Sequence, residues 1–329
     1  MSSPEPRRIT YRAAVIEALA EEMRRDPAVI LLGEDIGRAG GVFRQTEGLF
    51  EEFGAARVMD TPISEAGAFG IAVGAAMAGL KPVFEVMFAD FMTLVMDQLV
   101  NQAAKVAYMS GGAMSVPLVL RTTMGTGASL GPQHSQSPYA WACHVPGLKV
   151  LAPSDAGDAK GLMIAAIRDP NPVLVFEDRL LHTRPGQVGE GPLPIGRAAV
   201  KRPGRDVTIV AVGRMVALAL DAAGMLATDG IEAEVVDPRS LVPLDAEALA
   251  ASVRRTHRAL VVDGGARSYG ASAEIAATLS DIAFDWLDAP VGRLAGSDTP
   301  IPLARSLEPL AQPDAARIAV AARRLVRGG

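Results

Sequence analysis

The stretch DTPISEAGAFGIAVGAAMAGLKPVFEVM (Asp60–Met87) decides the fold. A strand ends at Val58–Asp60, Pro62 fixes a turn, and Ser64 stands where a helix N-cap is expected, so Glu65 falls at the first helical position. The oily run Gly67–Leu80 follows, bounded by Glu65 and Lys81. It is too short for the roughly 18 to 20 apolar residues of a membrane span, which leaves a buried helix in a chain that needs no membrane. The run Pro82–Met87 then reads as a buried strand. Gly67, Gly70, Gly74 and Ala78 lie on or near one face of the helix and let another backbone approach closely. Packing within one chain and a helix pair at a subunit interface both fit that pattern.

Outward from this unit, short β-rich runs keep alternating with helical stretches, the mark of a parallel sheet covered by helices. Ala28–Asp35, Pro117–Met124, Leu148–Ser154 and Pro172–Asp178 are further buried strands. Asp90 to about Met109 is the clearest helix. Met92, Val95, Met96, Leu99, Ala103 and Val106 form its apolar face, with Asp97, Asn101 and Lys105 opposite. Gly186–Pro203 is rich in Gly and Pro and has no sustained period. The expected domains are therefore 1–185 and 204–329, joined by a linker at 186–203. In the second, strands at Asp206–Gly213, Glu232–Pro238 and Arg258–Gly265 alternate with a helix to about Ala227, one from about Asp245, and a last one at Tyr269–Asp281.

The 329 residues carry a net charge of −5, which offers nothing to a nucleic acid or an acidic membrane surface. A single cysteine, Cys143, allows no internal disulfide and fits a reducing compartment, so the expected location is cytoplasmic. The four histidines are too scattered for a zinc site. MSSPEPRRIT at the start has no apolar core to act as a secretory signal. GTGASLG (Gly125–Gly131) follows a strand but runs into Pro132 instead of opening a helix, which argues against a dinucleotide site. There is no P-loop.

Glu65 has two readings. It can simply complement a helix dipole. It can also be a carboxyl group held at the carboxyl end of a parallel strand, where open α/β sheets bind ligands and apolar surroundings would raise its pKa. The segment Gly131–Val150 crowds polar and aromatic residues around His134, and loops of that length are more often functional than accidental. His134 alone is as readily a packed histidine as a catalytic one, and His144 leads straight into the turn at Pro146–Gly147.

Asp60–Gly112, Gly131–Asp178, DVTIVAVG, VVDPRSLVPLD and WLDAPVGRLAGSDTPIP together resemble, in order and over nearly the whole chain, the β subunit of the thiamine-diphosphate-dependent 2-oxoacid dehydrogenase first component. The resemblance implies a transketolase-like pyrimidine-binding domain, a parallel sheet flanked by helices, followed by a smaller C-terminal α/β domain. It also implies an α2β2 heterotetramer working with a lipoyl-bearing acyltransferase core. Thiamine diphosphate would lie between chains, its pyrimidine on this subunit and its diphosphate and Mg²⁺ on the α-type partner. No GDG motif with a suitably spaced asparagine occurs here, in keeping with that division.

In this likeness Glu65 matches the activating glutamate that bonds the pyrimidine ring nitrogen. His134 matches a histidine that delivers a proton or stabilises charge during acyl transfer to lipoyl. Phe91 packs on the pyrimidine, with Ile63 and Met87 lining the same pocket. Ala166, Ile167, Asp169 and Asn171, with Leu118 from the neighbouring strand, match a loop that in some relatives holds K⁺, largely through backbone carbonyls. His182 stands where many relatives have tyrosine, and SPYAW and DGGARSYG also depart from the usual pattern. The implied activity is oxidative decarboxylation of pyruvate, or cleavage of acetoin, with acyl transfer to lipoyl. A branched-chain 2-oxoacid enzyme is the alternative within that chemistry. A non-catalytic assembly subunit and a self-sufficient transketolase-like enzyme are alternatives of other kinds. Glu65 and His134 argue against the former, and the missing diphosphate motif against the latter.

Overall fold

A computed structural model describes residues 7–328. Part of the N-terminal stretch read above as no secretory signal lies outside the described residues. The chain divides into two compact units. The first holds the described residues up to Met124 together with Trp141–Ile195, and the second holds Gly125–Ala140 together with the described residues from Gly196 onward. Residues 125–140 thus pack with the second unit, although in sequence they fall inside the first.

In chain order the first unit runs α1 (Tyr11–Arg25), β1 (Val29–Gly33), β2 (Val58–Asp60), α2 (Glu65–Met77), β3 (Lys81–Val86), β4 (Val119–Met124), β5 (Lys149–Leu151), α3 (Ala156–Arg168) and β6 (Val173–Asp178). These six strands lie in the order β5-β6-β4-β3-β1-β2. All are parallel, with Leu31 opposite Val58, Val83 opposite Val119 and Val119 opposite Val173. Every residue of β1, β4 and β6 is buried, which is what a sheet covered on both faces requires and why β1 reads as an unbroken apolar run. Helix α1 is capped by Thr10, whose Oγ1 accepts the Ala13 N–H at 3.2 Å. It packs against α3 over a core of Val15, Leu19, Leu162 and Ile164, each such side chain contributing roughly 1.5–3 kcal/mol by leaving water.

The chain leaves β1 for β2 on one side and returns to β3 on the other, so strand order reverses beside β1. That is where ligands of open α/β sheets collect, at the carboxyl ends. The segment expected as one helix from Asp90 to about Met109 is helical throughout residues 89–109 but changes form along its length. Ala89–Val95 is 3₁₀, Gln98–Ala103 is π-helical, and Ala104–Met109 is α-helical. The expected apolar face is nonetheless buried at Met92, Val95, Leu99, Ala103 and Val106. Burial demands the face, and the backbone over- and underwinds to present it, as π segments near functional sites often do.

The second unit contains β7 (Ala199–Arg202), β8 (Val207–Ala211), α4 (Met215–Thr228), β9 (Ala233–Asp237), α5 (Ala246–Thr256), β10 (Ala259–Ala266), α6 (Ala271–Ile282), β11 (Gly292–Gly296) and α7 (Ala315–Arg327). The sheet order is β11-β10-β8-β9-β7, parallel except for the edge strand β7. Strand β7 falls in the stretch read as linker, and α7 lies beyond the helix read as the last. Helix α7 buries Ile318, Ala319 and Ala322, a face built largely from alanine and therefore weak in apolar signal. Its Asp314 cap, accepting the Arg317 N–H at 2.8 Å, and its terminal Gly328 are the marks that were there to read. No helix among the described residues is long and apolar enough to cross a membrane.

Candidate active site

Glu65 is the first residue of α2, as its sequence context requires. Strand β2 delivers it: the Thr61 N–H continues the pairing to Gly33 O at 2.9 Å, and Ser64 O opens the helix by accepting the Ala68 N–H at 2.9 Å. Ser64 occupies the N-cap position, but its hydroxyl accepts no capping hydrogen bond. The carboxyl group is half-buried on a helix whose oily face is turned inward at Phe69, Ala72, Val73 and Ala76.

A second carboxyl group stands beside it. Glu34 follows directly on β1 and is also half-buried. Burial, then the nearby charge of Glu65, then that of Asp35, holds the Glu34 carboxyl above its ordinary pKa. Among the described residues neither Glu34 nor Glu65 receives a hydrogen bond or an ion pair. Asp60 differs, since its Oδ1 accepts the Gly37 N–H at 2.7 Å. A Cβ on Gly37 would lie 2.5 Å from Asp60 Oδ2, so only glycine lets the loop after β1 come this close.

The three apolar residues expected in the pocket stand past the carboxyl ends of β2 and β3. Ile63 is 85% exposed, and Met87 and Phe91, beyond the end of β3, are half-buried. Helix α2 packs against the turn Ala89–Val95 that carries Phe91. The Phe91 ring stands edge-on to Phe88 with centroids 5.8 Å apart, and Phe88 edge-on to Phe43 at 5.4 Å. The Arg179 guanidinium covers both Phe88 and Phe43, at 5.5 and 5.8 Å.

Beneath lies a buried ionic network. Glu85 and Arg121 face each other across β3 and β4, and Arg121 Nη1 donates to Glu85 Oε2 at 2.6 Å. Arg121 also donates from Nε and Nη2 to the two oxygens of Glu177, at 2.9 and 3.1 Å. Gln45 Nε2 donates to Glu177 Oε2 at 2.8 Å and lies 3.0 Å from His182 Nε2, while its Oε1 accepts from Thr123 Oγ1 at 3.2 Å. Burial raises the Glu85 carboxyl and pushes the His182 imidazole down to about 4. His182, a departure in sequence, is thus a neutral core residue bonded to the loop after β1.

The remaining expected residues fall elsewhere. His134 belongs to the second unit, half-buried in a loop whose base is closed by the Gly125 N–H donating to Gln136 O at 3.1 Å. Leu118, Ala166, Ile167, Asp169 and Asn171 gather at the amino ends of β4 and β6, the opposite edge from Glu65. There Leu118 O accepts the Val173 N–H at 2.9 Å, and Ala166 O accepts the Asp169 N–H at 3.2 Å. Each of these carbonyls keeps a second lone pair. The Asp169 carboxylate is engaged by Lys149 and by the Asn171 N–H, so a cation here would be met by carbonyls. Glu34 and the ionic network were missed in the sequence. Glu34 could have been found, because GED follows immediately on a fully buried strand at its carboxyl end.

This arrangement is that of a transketolase-type chain. Residues 7–184 match the family model "Transketolase, pyrimidine binding domain" and residues 196–318 match "Transketolase, C-terminal domain". The chain is 48% identical over 322 residues to the pyruvate dehydrogenase E1 component subunit beta-1, mitochondrial, of Arabidopsis thaliana, covering 96% of this chain and 89% of that one. It is 46% identical over 314 residues to the acetoin:2,6-dichlorophenolindophenol oxidoreductase subunit beta of Bacillus subtilis, covering 91% and 92%. Among solved structures, one described as a split-gene transketolase, inactive beta4 tetramer, superposes with a TM-score of 0.79 at 25% identity, covering 97% of this chain and 98% of that one. The chain belongs to the β-subunit family of the E1 components of 2-oxoacid dehydrogenases. Membership implies use of thiamine diphosphate, an α-type partner and a larger complex.

Proposed function

We propose that this chain supplies the pyrimidine side of a thiamine-diphosphate site that decarboxylates pyruvate and passes the acyl group to lipoyl, within an α2β2 heterotetramer docked on an acyltransferase core. The observation that carries this is the pair Glu34 and Glu65: two half-buried carboxyl groups with no partner among the described residues, past the carboxyl ends of neighbouring strands. Exposed Ile63 also lies on that sheet edge, where α2 packs against the turn bearing half-buried Phe91. That donor set fits a flat heteroaromatic ring bearing a nitrogen that needs a hydrogen-bonding partner. Glu65 would hold the aminopyrimidine through its carboxyl group, with Phe91, Ile63 and Met87 against the ring. When bound, thiamine diphosphate supplies the electron sink that decarboxylation requires.

The chain's own residues orient and move protons. Glu34 binds its proton more tightly than an ordinary carboxyl, because burial and then the charge of Glu65 disfavour its ionised form. Phe43, Phe88 and Arg179 fix the ring of Phe91. His134 delivers a proton, or stabilises charge, as the acyl group is taken up by lipoyl. The diphosphate and Mg²⁺ would belong to the α-type partner, and K⁺, where bound, would be held by carbonyls of the Leu118, Ala166, Ile167, Asp169 and Asn171 cluster. The proposed location is cytoplasmic, a reading supported by the single cysteine of this chain's sequence. Acetoin is the second substrate reading, favoured by the likeness to the Bacillus subtilis subunit over nearly the whole chain.

The test is turnover of pyruvate, acetoin and branched 2-oxoacids with thiamine diphosphate, Mg²⁺ and an artificial electron acceptor. It is run with this chain alone and with its co-expressed α-type partner. Turnover only in the mixture, with pyruvate preferred, is the expected outcome. Turnover by the chain alone would overturn the division of the site.

A further inference from the structure

Glu308 opens a 3₁₀ turn, Glu308–Ala311, in the second unit and is only 4% exposed. Its backbone is anchored by the Glu308 N–H donating to Ala304 O at 2.9 Å. Both carboxylate oxygens turn to the loop that follows β4. Oε1 accepts the Gly127 N–H at 2.8 Å, and Oε2 accepts the Ser129 N–H at 3.0 Å and the Ser129 hydroxyl at 3.2 Å. One buried charge therefore satisfies three donors of a segment that has no helix or strand to satisfy them.

The segment needs such an anchor. Gly125, Gly127, Ser129 and Gly131 all have positive φ, at +98°, +102°, +53° and +76°. The glycines adopt this at no steric cost, but Ser129 does not. Hydrogen bonds to an ionised acceptor are stronger than neutral ones and can hold a strained residue in place. The Gly125 N–H closes the loop onto Gln136 O, and Thr126 Oγ1 accepts from Arg214 Nη2 at 3.0 Å. His134 lies inside the closed segment, its own N–H directed to Gly131 O at 3.4 Å. Movement of residues 127–131 would carry His134 with it.

We propose that Glu308 is a positioning residue, whose buried carboxylate fixes the path of the Gly125–Gln136 loop and so sets where His134 stands during acyl transfer. The inference rests on the reading of His134 given above. Glu308 touches no reacting group and acts through the loop.

The test uses the complex purified with its co-expressed α-type partner, assayed with pyruvate and free lipoamide as the acyl acceptor. His134→Ala, Glu308→Ala, Glu308→Gln and the His134→Ala, Glu308→Ala double variant are compared. Glu308→Ala is expected to lower kcat by about 10-fold or more with little change in KM, and to speed hydrogen exchange at Gly127 and Ser129. The double variant should be no slower than His134→Ala, because a residue that acts through His134 has nothing left to position. Glu308→Gln should fall between, its amide keeping one accepting oxygen, and it stands in if Glu308→Ala fails to assemble. A Glu308 variant within twofold of the parent, beside a slowed His134→Ala, sinks the inference alone. So does a double variant whose losses multiply. An unaffected His134→Ala sinks the reading of His134 itself, and the inference with it.

Discussion

The two units are built on the same plan, a largely parallel sheet between helices, and each sets acidic side chains at or just past strand ends. They treat those acids in opposite ways. In the second unit Asp263 of β10 is fully buried and fully engaged. It accepts from the Tyr139 hydroxyl, from the Gly265 N–H at 2.8 Å and from the Ser272 N–H at 3.0 Å at the start of α6. Burial, and then the Asp263 charge, pushes the Tyr139 hydroxyl well above its ordinary pKa, so Tyr139 remains a donor. In the first unit Glu34 and Glu65 are half-buried and receive nothing from the described residues, while the acids beneath them are tied into the network around Arg121. A carboxylate with three donors is a structural pin. One half-buried with no donor is available to a ligand, and the network around Arg121 ties together the strands that present it.

Four changes break or sharpen this contrast. The largest effect is expected for Glu65→Gln, which should lower 2-oxoacid turnover of the complex by 10²–10⁴-fold on the scale of a lost proton-transfer group, with thermal unfolding unmoved. A modest loss of turnover would make Glu65 a helix-dipole residue and nothing more. Next, Arg121→Met should destabilise the chain by about 3–5 kcal/mol in denaturant titration, because Glu85 and Glu177 are left buried without their cation. Retained stability would mean the network does not brace the first unit.

The third change concerns acid. The folded chain holds His182 at about 4 against an ordinary 6.5, so neutral imidazole is the form that folding favours. Its contribution is whole above pH 6.5 and is lost as pH falls toward 4, on the order of 3 kcal/mol in all. The raised Glu85 carboxyl has the opposite sign, favouring the folded state at low pH and costing stability as pH rises through its folded pKa. The measurement is therefore the difference between the parent chain and His182→Gln across that window, and equal acid slopes would refute the assignment. The smallest effect belongs to Asp263→Asn, which keeps one accepting oxygen and should cost about 1–3 kcal/mol of stability without touching turnover. A loss of activity there would place a function in the second unit's pin.

The sequence carried the site's leading residue well. Val58–Asp60, Pro62 and Ser64 put Glu65 at the first helical position because each acts through its immediate neighbours, and the structure has it there. The same locality explains the buried strands, whose apolar runs report burial on both faces. Signals failed where a neighbour distant in sequence decided the outcome. Ala199–Arg202 becomes a strand because the edge of β9 is there to pair with, and nothing in its own residues says so. The Asp90–Met109 segment keeps its apolar face but not a single helical form.

By itself the sequence determined the alternation of strands and helices, the place of Glu65, the absence of a GDG diphosphate motif and the family. Those depend on periodicity, local turn chemistry and residue identity. Tertiary structure alone decided that Glu34 stands beside Glu65, that Arg121 joins Glu85 to Glu177 across three strands, and that Glu308 holds the loop bearing His134. Each of those pairings spans tens to nearly two hundred residues of chain, and only the packing of sheets brings such partners to within a hydrogen bond or a Coulomb contact.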